Sequence, residues 1–514
     1  MKLNLPIKAS KLSAFCLLFW LSFSLGQAQQ PSYDLKINLS VSTELRNSFK
    51  SEGRLLLFFN KNPKVEPRTQ TWGFGENYLT ATNITSWKAD KVMIIGDTED
   101  WTRTTEWSLA NVPAGTYYVQ ALWDQDNEES RPNIPGNMYN KKQKLVVDQS
   151  KVLDLILTQV IQPRTVVEHK LVKTVSMKSD TLTKWWGKTM TLKASVLLPG
   201  GYFDHPDKAY PIRYNVAGYG GRYNRINRLI EDKKFTDWWL SAEAPQIITV
   251  YLDGEGPFGD SYQLDSDNNG PYGYALIHEL IPYIEKQYRG TNISETRFVD
   301  GCSTGGWVSL ALQLYYPDTF NGVFSYSPDA IEFENYQLIN IYKDRNAYVN
   351  EYGHLRPVAR EVNGEPMLIL KDFIRFENAL GASNTYVTSG GQFSAHTALY
   401  SPKGPDGLPV PLFDPTTGAI DSVVAERWKK YDLKLYAKKN WETLGPKLQG
   451  KIYIWMGDMD NFYLNPATRA FDVFIKTTQN PASDALIEFS PMEGHCSQFS
   501  DRIVLEKIAE KLTK

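Results

Sequence analysis

Gly301-Cys302-Ser303-Thr304-Gly305-Gly306 sets a serine among glycines at the G-x-S-x-G spacing of a tight strand-to-helix turn. A serine hydroxyl is a weak nucleophile at neutral pH and needs an imidazole to take its proton. The chain has six histidines, at 169, 205, 278, 354, 396 and 495. His495, in Met492-Glu493-Gly494-His495, follows the last predicted strand, where a Ser…acid…His chain order puts the base. His278 precedes the serine, and His396 falls in a later excursion from which it could reach a pocket. The acid should follow the penultimate strand. There Gly457-Asp458-Met459-Asp460-Asn461-Phe462 offers Asp460, with Asp458 as the alternative or a turn-forming residue. Together these residues could carry nucleophilic acyl transfer through a covalent Ser303 intermediate.

That chemistry develops an oxyanion that needs two preorganised N–H donors. The backbone N–H of Thr304 is one candidate. The other lies in the glycine-dense loop Ala217-Gly218-Tyr219-Gly220-Gly221, with Tyr219 first and Gly220 second. Candidate aromatic walls are Trp307, Tyr219, Tyr326 and Phe462.

The elements that must hold these residues alternate between strands and helices from about residue 165. Strands are expected at 191–198, 210–216, 246–252, 297–299, 323–325, 451–456 and 485–489. Helices are expected at 275–288, 308–316, 468–476 and 500–511. This rhythm predicts a mainly parallel sheet with helices on both faces, whose chemistry lies beyond the carboxyl ends of the strands. Residues of about 330–450 interrupt it with Pro/Gly-rich turns and one helix at 421–435, an insertion with the character of a lid or binding wall. Residues 31–162 instead read as an all-β unit: short alternating runs (34–39, 54–59, 91–95, 116–123, 144–147) separated by turn residues predict a sandwich of immunoglobulin-like type. Its tryptophans at 72, 87, 101, 107 and 123 suit either carbohydrate binding or core packing.

Lys2, Lys8 and Lys11, the apolar run from Leu12 to Leu25, and Gly26-Gln27-Ala28 have the layout of a secretory signal, expected to span 1–28 and to be cleaved. Cys16 lies inside the apolar run, which argues against a lipid anchor. The expected compartment is the periplasm or the exterior, without stable membrane insertion after cleavage. The formal net charge of −2 gives no field to gather nucleic acid. No metal or cofactor motif stands out. Asp265-Ser266-Asp267-Asn268-Asn269-Gly270 resembles half a calcium loop, but Leu276 stands where its bidentate acid belongs, so a hydrogen-bonded loop is expected. Cys302 precedes the serine and Cys496 follows the histidine. Site geometry would bring both within disulfide reach and pin the histidine loop to the serine turn, the alternative being two buried free thiols.

Residues 195–330 resemble the putative-esterase family of α/β-hydrolases, which includes esterase D-like, enterochelin-esterase-like and feruloyl-esterase-like members. The likeness rests on Val196-Leu197-Leu198-Pro199, the 210–221 strand and loop, and Glu279 to Glu285. It continues through Gly301 to Pro328, Gly457 to Asp460 and Gly494-His495. Cys-Ser, a distant Asp, then His-Cys is similar to the tannase and feruloyl-esterase family, whose cysteines are bonded. Trp307 stands where that family would have arginine, and Ala217-Gly218 where many esterases have His-Gly. The resemblance implies an α/β-hydrolase fold behind the β-sandwich, a triad of Ser303, Asp460 and His495, and no cofactor. The implied substrate is a small-molecule or polysaccharide-linked ester, with acyl or hydroxycinnamoyl groups among the candidates. An exported serine peptidase or acyltransferase would use the same triad. A non-catalytic surface binding module is the reading from another class.

Overall fold

The computed structural model describes residues 30–97, 100–126 and 128–513. The expected signal segment, 1–28, lies outside the described residues. Among those described, no helix is long and apolar enough to cross a membrane.

Eight strands form the central sheet. Their spatial order is Val172–Ser179, Met190–Leu197, Ile248–Leu252, Ile212–Val216, Arg297–Cys302, Gly322–Tyr326, Ile452–Gly457 and Leu486–Ser490. Met190–Leu197 is antiparallel to both neighbours, and every later pair is parallel. The central strands are buried at every position, and mostly apolar, because helices cover both faces. This is the α/β-hydrolase fold. One charged group is built into its middle. Arg213, fully buried, forks onto both oxygens of Asp300 at 2.8 and 2.7 Å and reaches Asp501 at 2.6 Å. The strand that ends at the serine turn is thereby tied to its neighbour and to the helix Asp501–Leu512.

Residues before 165 form two main sheets packed face to face, beside a short pairing of Ser32–Tyr33 with Val112–Pro113. The larger centres on Gly115–Asp124, Gly53–Asn60 and Asn77–Ile84; the smaller has Lys151–Leu157, Leu35–Val41 and Met93–Ile95. Leu35, Ile37, Leu39 and Val41 alternate inward against Trp87, Trp123 and Leu153. Lys151–Leu157 runs parallel to Leu35–Val41. Neither it nor Asn77–Ile84 nor Val172–Ser179 was expected from the sequence.

The strand Gly53–Asn60 is buried on both faces. Leu55, Leu57 and Phe59 enter the sandwich core. Leu56 and Phe58, with Leu79, Ala81 and Leu122, instead cover Phe376, Ala379 and Leu380 of the helix Leu370–Leu380. Arg54 seals this contact by donating to the Ala379 carbonyl at 2.8 Å. The excursion is thus packed between the β unit and the central sheet. The helix expected at 421–435 is two, Ser422–Trp428 and Leu433–Leu448. Asp432 separates them and caps the second through the Leu435 N–H at 2.9 Å. Gln392–Tyr400 is a further helix. Every residue from Phe393 to Tyr400 is buried, so no polar face gave it a readable period.

Asp265–Ser266 and Gly270–Pro271 pair as a small hairpin. Asn268 at its tip donates to the carbonyls of Ala398 and Ser401 at 3.1 and 2.8 Å, so the calcium-like sequence anchors a helix end.

Candidate active site

Ser303 stands between the strand Arg297–Cys302 and the helix Thr304–Tyr315 with φ 61° and ψ −130°. A left-handed backbone at a non-glycine residue costs on the order of 1–3 kcal/mol and survives only where packing enforces it. Here the enforcement comes from the glycines. A Cβ on Gly305 would lie 2.2 Å from the Val216 carbonyl oxygen, and one on Gly306 would lie 2.5 Å from that of Tyr326. Only glycine lets the helix start this close to the flanking strands. The serine side chain faces a cavity of about 40 Å³, and among the described residues its hydroxyl makes no hydrogen bond.

The histidine and acid loops meet beside this turn. His495 Nδ1 lies 2.6 Å from Asp460 Oδ2. The other carboxylate oxygen accepts the N–H groups of Phe462 and Leu464 at 2.9 and 3.2 Å. Asp460 is therefore fully buried yet satisfied, and its rotamer is fixed. Asn461 aligns the facing loop by accepting the His495 N–H at 2.9 Å. Gly457 permits the approach, since a Cβ there would lie 2.3 Å from the Glu493 carbonyl oxygen. Asp458 points elsewhere and pairs with Arg469. Burial pulls the His495 pKa down. The charge and hydrogen bond of Asp460, with the charge of Asp329, outweigh it and hold the imidazole above its ordinary 6.5.

Cys302 and Cys496 are joined in a disulfide, with Cα atoms 6.0 Å apart and 194 residues apart in sequence. It fastens the residue before Ser303 to the residue after His495. Cys496 is held further by its N–H to Ser327 Oγ at 3.1 Å.

The loop 217–221 lies against the turn: a Cβ on Gly218 would lie 3.7 Å from the Ser303 Cβ. Gly220 gives its N–H to Asp260 at 3.2 Å and has none left for a ligand. The Tyr219 N–H makes no such bond among the described residues, nor does the Thr304 N–H at the start of its helix.

The expected aromatic walls divide. Phe462 lines the cavity, and its ring meets His495 edge-on at 4.9 Å. Trp307 and Tyr326 do not. Trp307 sits on the inner side of its helix against Tyr262 and Tyr400. Tyr326, on a central strand, points into the layer of Tyr453, Trp455 and Phe499. Both are core residues because side chains near this turn are directed inward by the close helix–sheet packing.

The profile of the family described as "Putative esterase" matches residues 189–502, well over half of the chain and inclusive of every residue above. The chain belongs to this family. It is a hydrolase of carboxylic esters. Among solved structures it is similar to a ferulic acid esterase at 15% identity, over 66% of this chain and 96% of that one, with a TM-score of 0.42. It is also similar to a fluorophosphonate-binding serine hydrolase of Staphylococcus aureus (15% identity, 67% and 98%, TM-score 0.38). A third is an S-formylglutathione hydrolase of Agrobacterium tumefaciens (14%, 66% and 93%, TM-score 0.37).

His396 lines the esterase's cavity from the excursion, as its position allowed, but several other residues there were not expected. Asp329 lies just beyond the carboxyl end of Gly322–Tyr326, where sheets of this kind bind ligands. Its Oδ2 accepts Thr304 Oγ1 at 2.9 Å and the Tyr262 hydroxyl at 3.0 Å, with His396 Nε2 at 3.4 Å. Gln392 bridges Tyr262 at 2.7 Å and His396 at 3.0 Å, and Tyr336 holds the other imidazole nitrogen of His396 at 2.5 Å. The opposite wall belongs to the β unit. Trp72 and Phe74 line the cavity, with Trp72 stacked on Phe373 at 5.8 Å and tilted over Phe462 at 6.1 Å. The β unit also braces the Tyr219 loop, because Arg131 donates to the Gly220 carbonyl at 3.2 Å. Among the sandwich tryptophans, Trp87, Trp101 and Trp123 are core and Trp72 is cavity wall.

Proposed function

We propose that this esterase works through a Ser303 acyl-enzyme. Ser303 Oγ attacks the ester carbonyl carbon while His495 Nε2 takes its proton. Asp460 holds Nδ1–H, fixes the tautomer and stabilises the imidazolium. The oxyanion is received by the N–H groups of Thr304 and Tyr219. Collapse expels the alcohol, which takes the proton from His495. Water then attacks the acyl-enzyme by the same route, releasing the acid and restoring Ser303. The observation that carries this reading is the 2.6 Å His495–Asp460 contact on a loop bonded to the serine turn through Cys302–Cys496. Serine–histidine contacts in unliganded sites of this kind are often loose and tighten with substrate.

Within this reading the chain divides into a cleaved signal at 1–28, a β-sandwich at 31–162 and a catalytic unit at 165–514 that carries the 330–450 insertion. The signal-like layout and the disulfide support export to the periplasm or exterior. Export and the aromatic wall of Trp72, Phe74 and Phe462 suit an ester carried on carbohydrate. The acyl group is short, in keeping with a small cavity walled by Trp72 and Phe74.

A fluorophosphonate probe should add one label, located on Ser303 by peptide mapping, and p-nitrophenyl acetate should turn over faster than methyl ferulate. Labelling elsewhere rejects the nucleophile, and a ferulate preference rejects the short acyl group.

A further inference from the structure

Beside the serine cavity, and sharing Trp72, Phe373 and Gln392 with it, lies a cleft of about 650 Å³ between the β unit, the chain segment after it and the Tyr219 loop. Arg68, Arg131, Arg164, Arg222 and Arg228 line it, against the single carboxyl of Glu377. Some of this charge is compensated from behind. Glu129 pairs with Arg131 at 2.6 Å and with Arg222, which also lies 3.6 Å from Asp253. Arg68 lies 3.7 Å from Glu66. Among the described residues, the guanidinium groups of half-buried Arg164 and exposed Arg228 have neither an ion pair nor a hydrogen bond. Burial, together with the positive charges of Arg222 and Arg131, depresses the Arg164 guanidinium. Glu377 offers little relief, since burial pushes it up to about 7 even though Ser389 and backbone N–H groups donate to it. A cluster of partly desolvated like charges is costly unless a counter-charge completes it. Guanidinium forks match the planar geometry of carboxylate and phosphate oxygens. The cleft has room for such a group, and it opens beside the loop whose Gly218 lies against the serine turn.

We propose that this arginine cleft is a subsite for an anionic group, carboxylate or phosphate, carried by the substrate whose ester lies at Ser303. The assignment rests on the ester-hydrolase reading for its link to turnover, but binding can be read apart from it. Calorimetric titration of the Ser303→Ala protein at low ionic strength, with D-glucuronate and separately with inorganic phosphate, should give saturable binding. That binding should weaken about tenfold in an added Arg164→Gln/Arg228→Gln pair, the scale of one charge-assisted contact, and weaken with salt. Binding of glucuronate alone assigns a carboxylate and of phosphate alone a phosphoryl group; binding of both assigns an anion site of either kind. Flat titrations with both anions, or affinities indifferent to the double substitution in protein with an unchanged melting profile, overturn the subsite. In the wild-type enzyme, kcat/KM for acetylated methyl glucuronoside should exceed that for acetylated methyl glucoside, by a ratio that collapses in the double variant. If neither sugar ester nor p-nitrophenyl acetate is hydrolysed, the catalytic reading fails while the titrations still decide the cleft.

Discussion

Ser303, Asp460 and His495 sit on three short loops whose shapes are forced locally, whereas Trp72, Phe74 and Phe373, which face them, come from a second unit and an insertion. On the first side, glycines at 301, 305, 306 and 457 admit contacts that a Cβ would block, and a disulfide joins the two loops that flank the chemistry. On the second side, the wall is placed by the apolar contact between the outer face of Gly53–Asn60 and the helix Leu370–Leu380. The first side suits a reaction that tolerates little misplacement of the attacking atom. The second side, held by hydrophobic area and aromatic edges, suits selection among substrates by size and can vary without disturbing the chemistry.

The two sides should therefore fail differently. Ser303→Ala should lower kcat on p-nitrophenyl acetate by about 10⁶-fold in a protein that keeps its melting temperature; substantial residual turnover would place the nucleophile elsewhere. Asp460→Ala should cost about 10⁴-fold, while Asp458→Ala, two residues away and turned to Arg469, should stay within about tenfold. Equal losses would dissolve the distinction between the two carboxylates. Replacing Cys302 and Cys496 together by serine should lower stability in denaturant titrations by up to about 5 kcal/mol, from the long loop released in the unfolded chain. No change in midpoint would mean that the bond merely decorates contacts already made. Trp72→Ala should leave the chemistry in place and raise the kcat/KM ratio of butanoate to acetate p-nitrophenyl esters about tenfold, the scale of a methylene or two in a pocket. An unaltered ratio would remove the β unit from substrate selection. The smallest expected effect is on pH. A protonated His495 cannot accept the serine proton, so kcat/KM should rise with pH through a midpoint above 6.5. In Asp460→Asn the raising charge is gone and burial remains, so that midpoint should move to lower pH; an unmoved limb would detach it from this pair.

Much of the first side was legible in the sequence because its constraints are local. The glycine spacing around Ser303, the strand before it and the helix after it are all adjacent in the chain, and Gly457 precedes the acid in the same way. The β unit's apolar run from Leu55 to Phe59 also held a message that alternation alone does not deliver: five consecutive apolar residues need cover on both faces, and the second cover is Leu370–Leu380. Trp307 and Tyr326 were misjudged as cavity walls because sequence proximity to the serine says nothing about the face a side chain occupies.

The amino-acid sequence by itself determined the alternation that builds the central sheet, the strained turn at residue 303 and the chain order of serine, acid and histidine. These depend on backbone sterics and on patterns read over a few residues. Only the tertiary structure decided which of two nearby carboxylates meets the imidazole, which N–H of the Tyr219 loop is already spent on Asp260, and that a tryptophan from the β unit completes the cavity. Those outcomes depend on loop directions and on contacts spanning hundreds of residues, where burial and hydrogen-bond satisfaction are settled by the whole packed molecule.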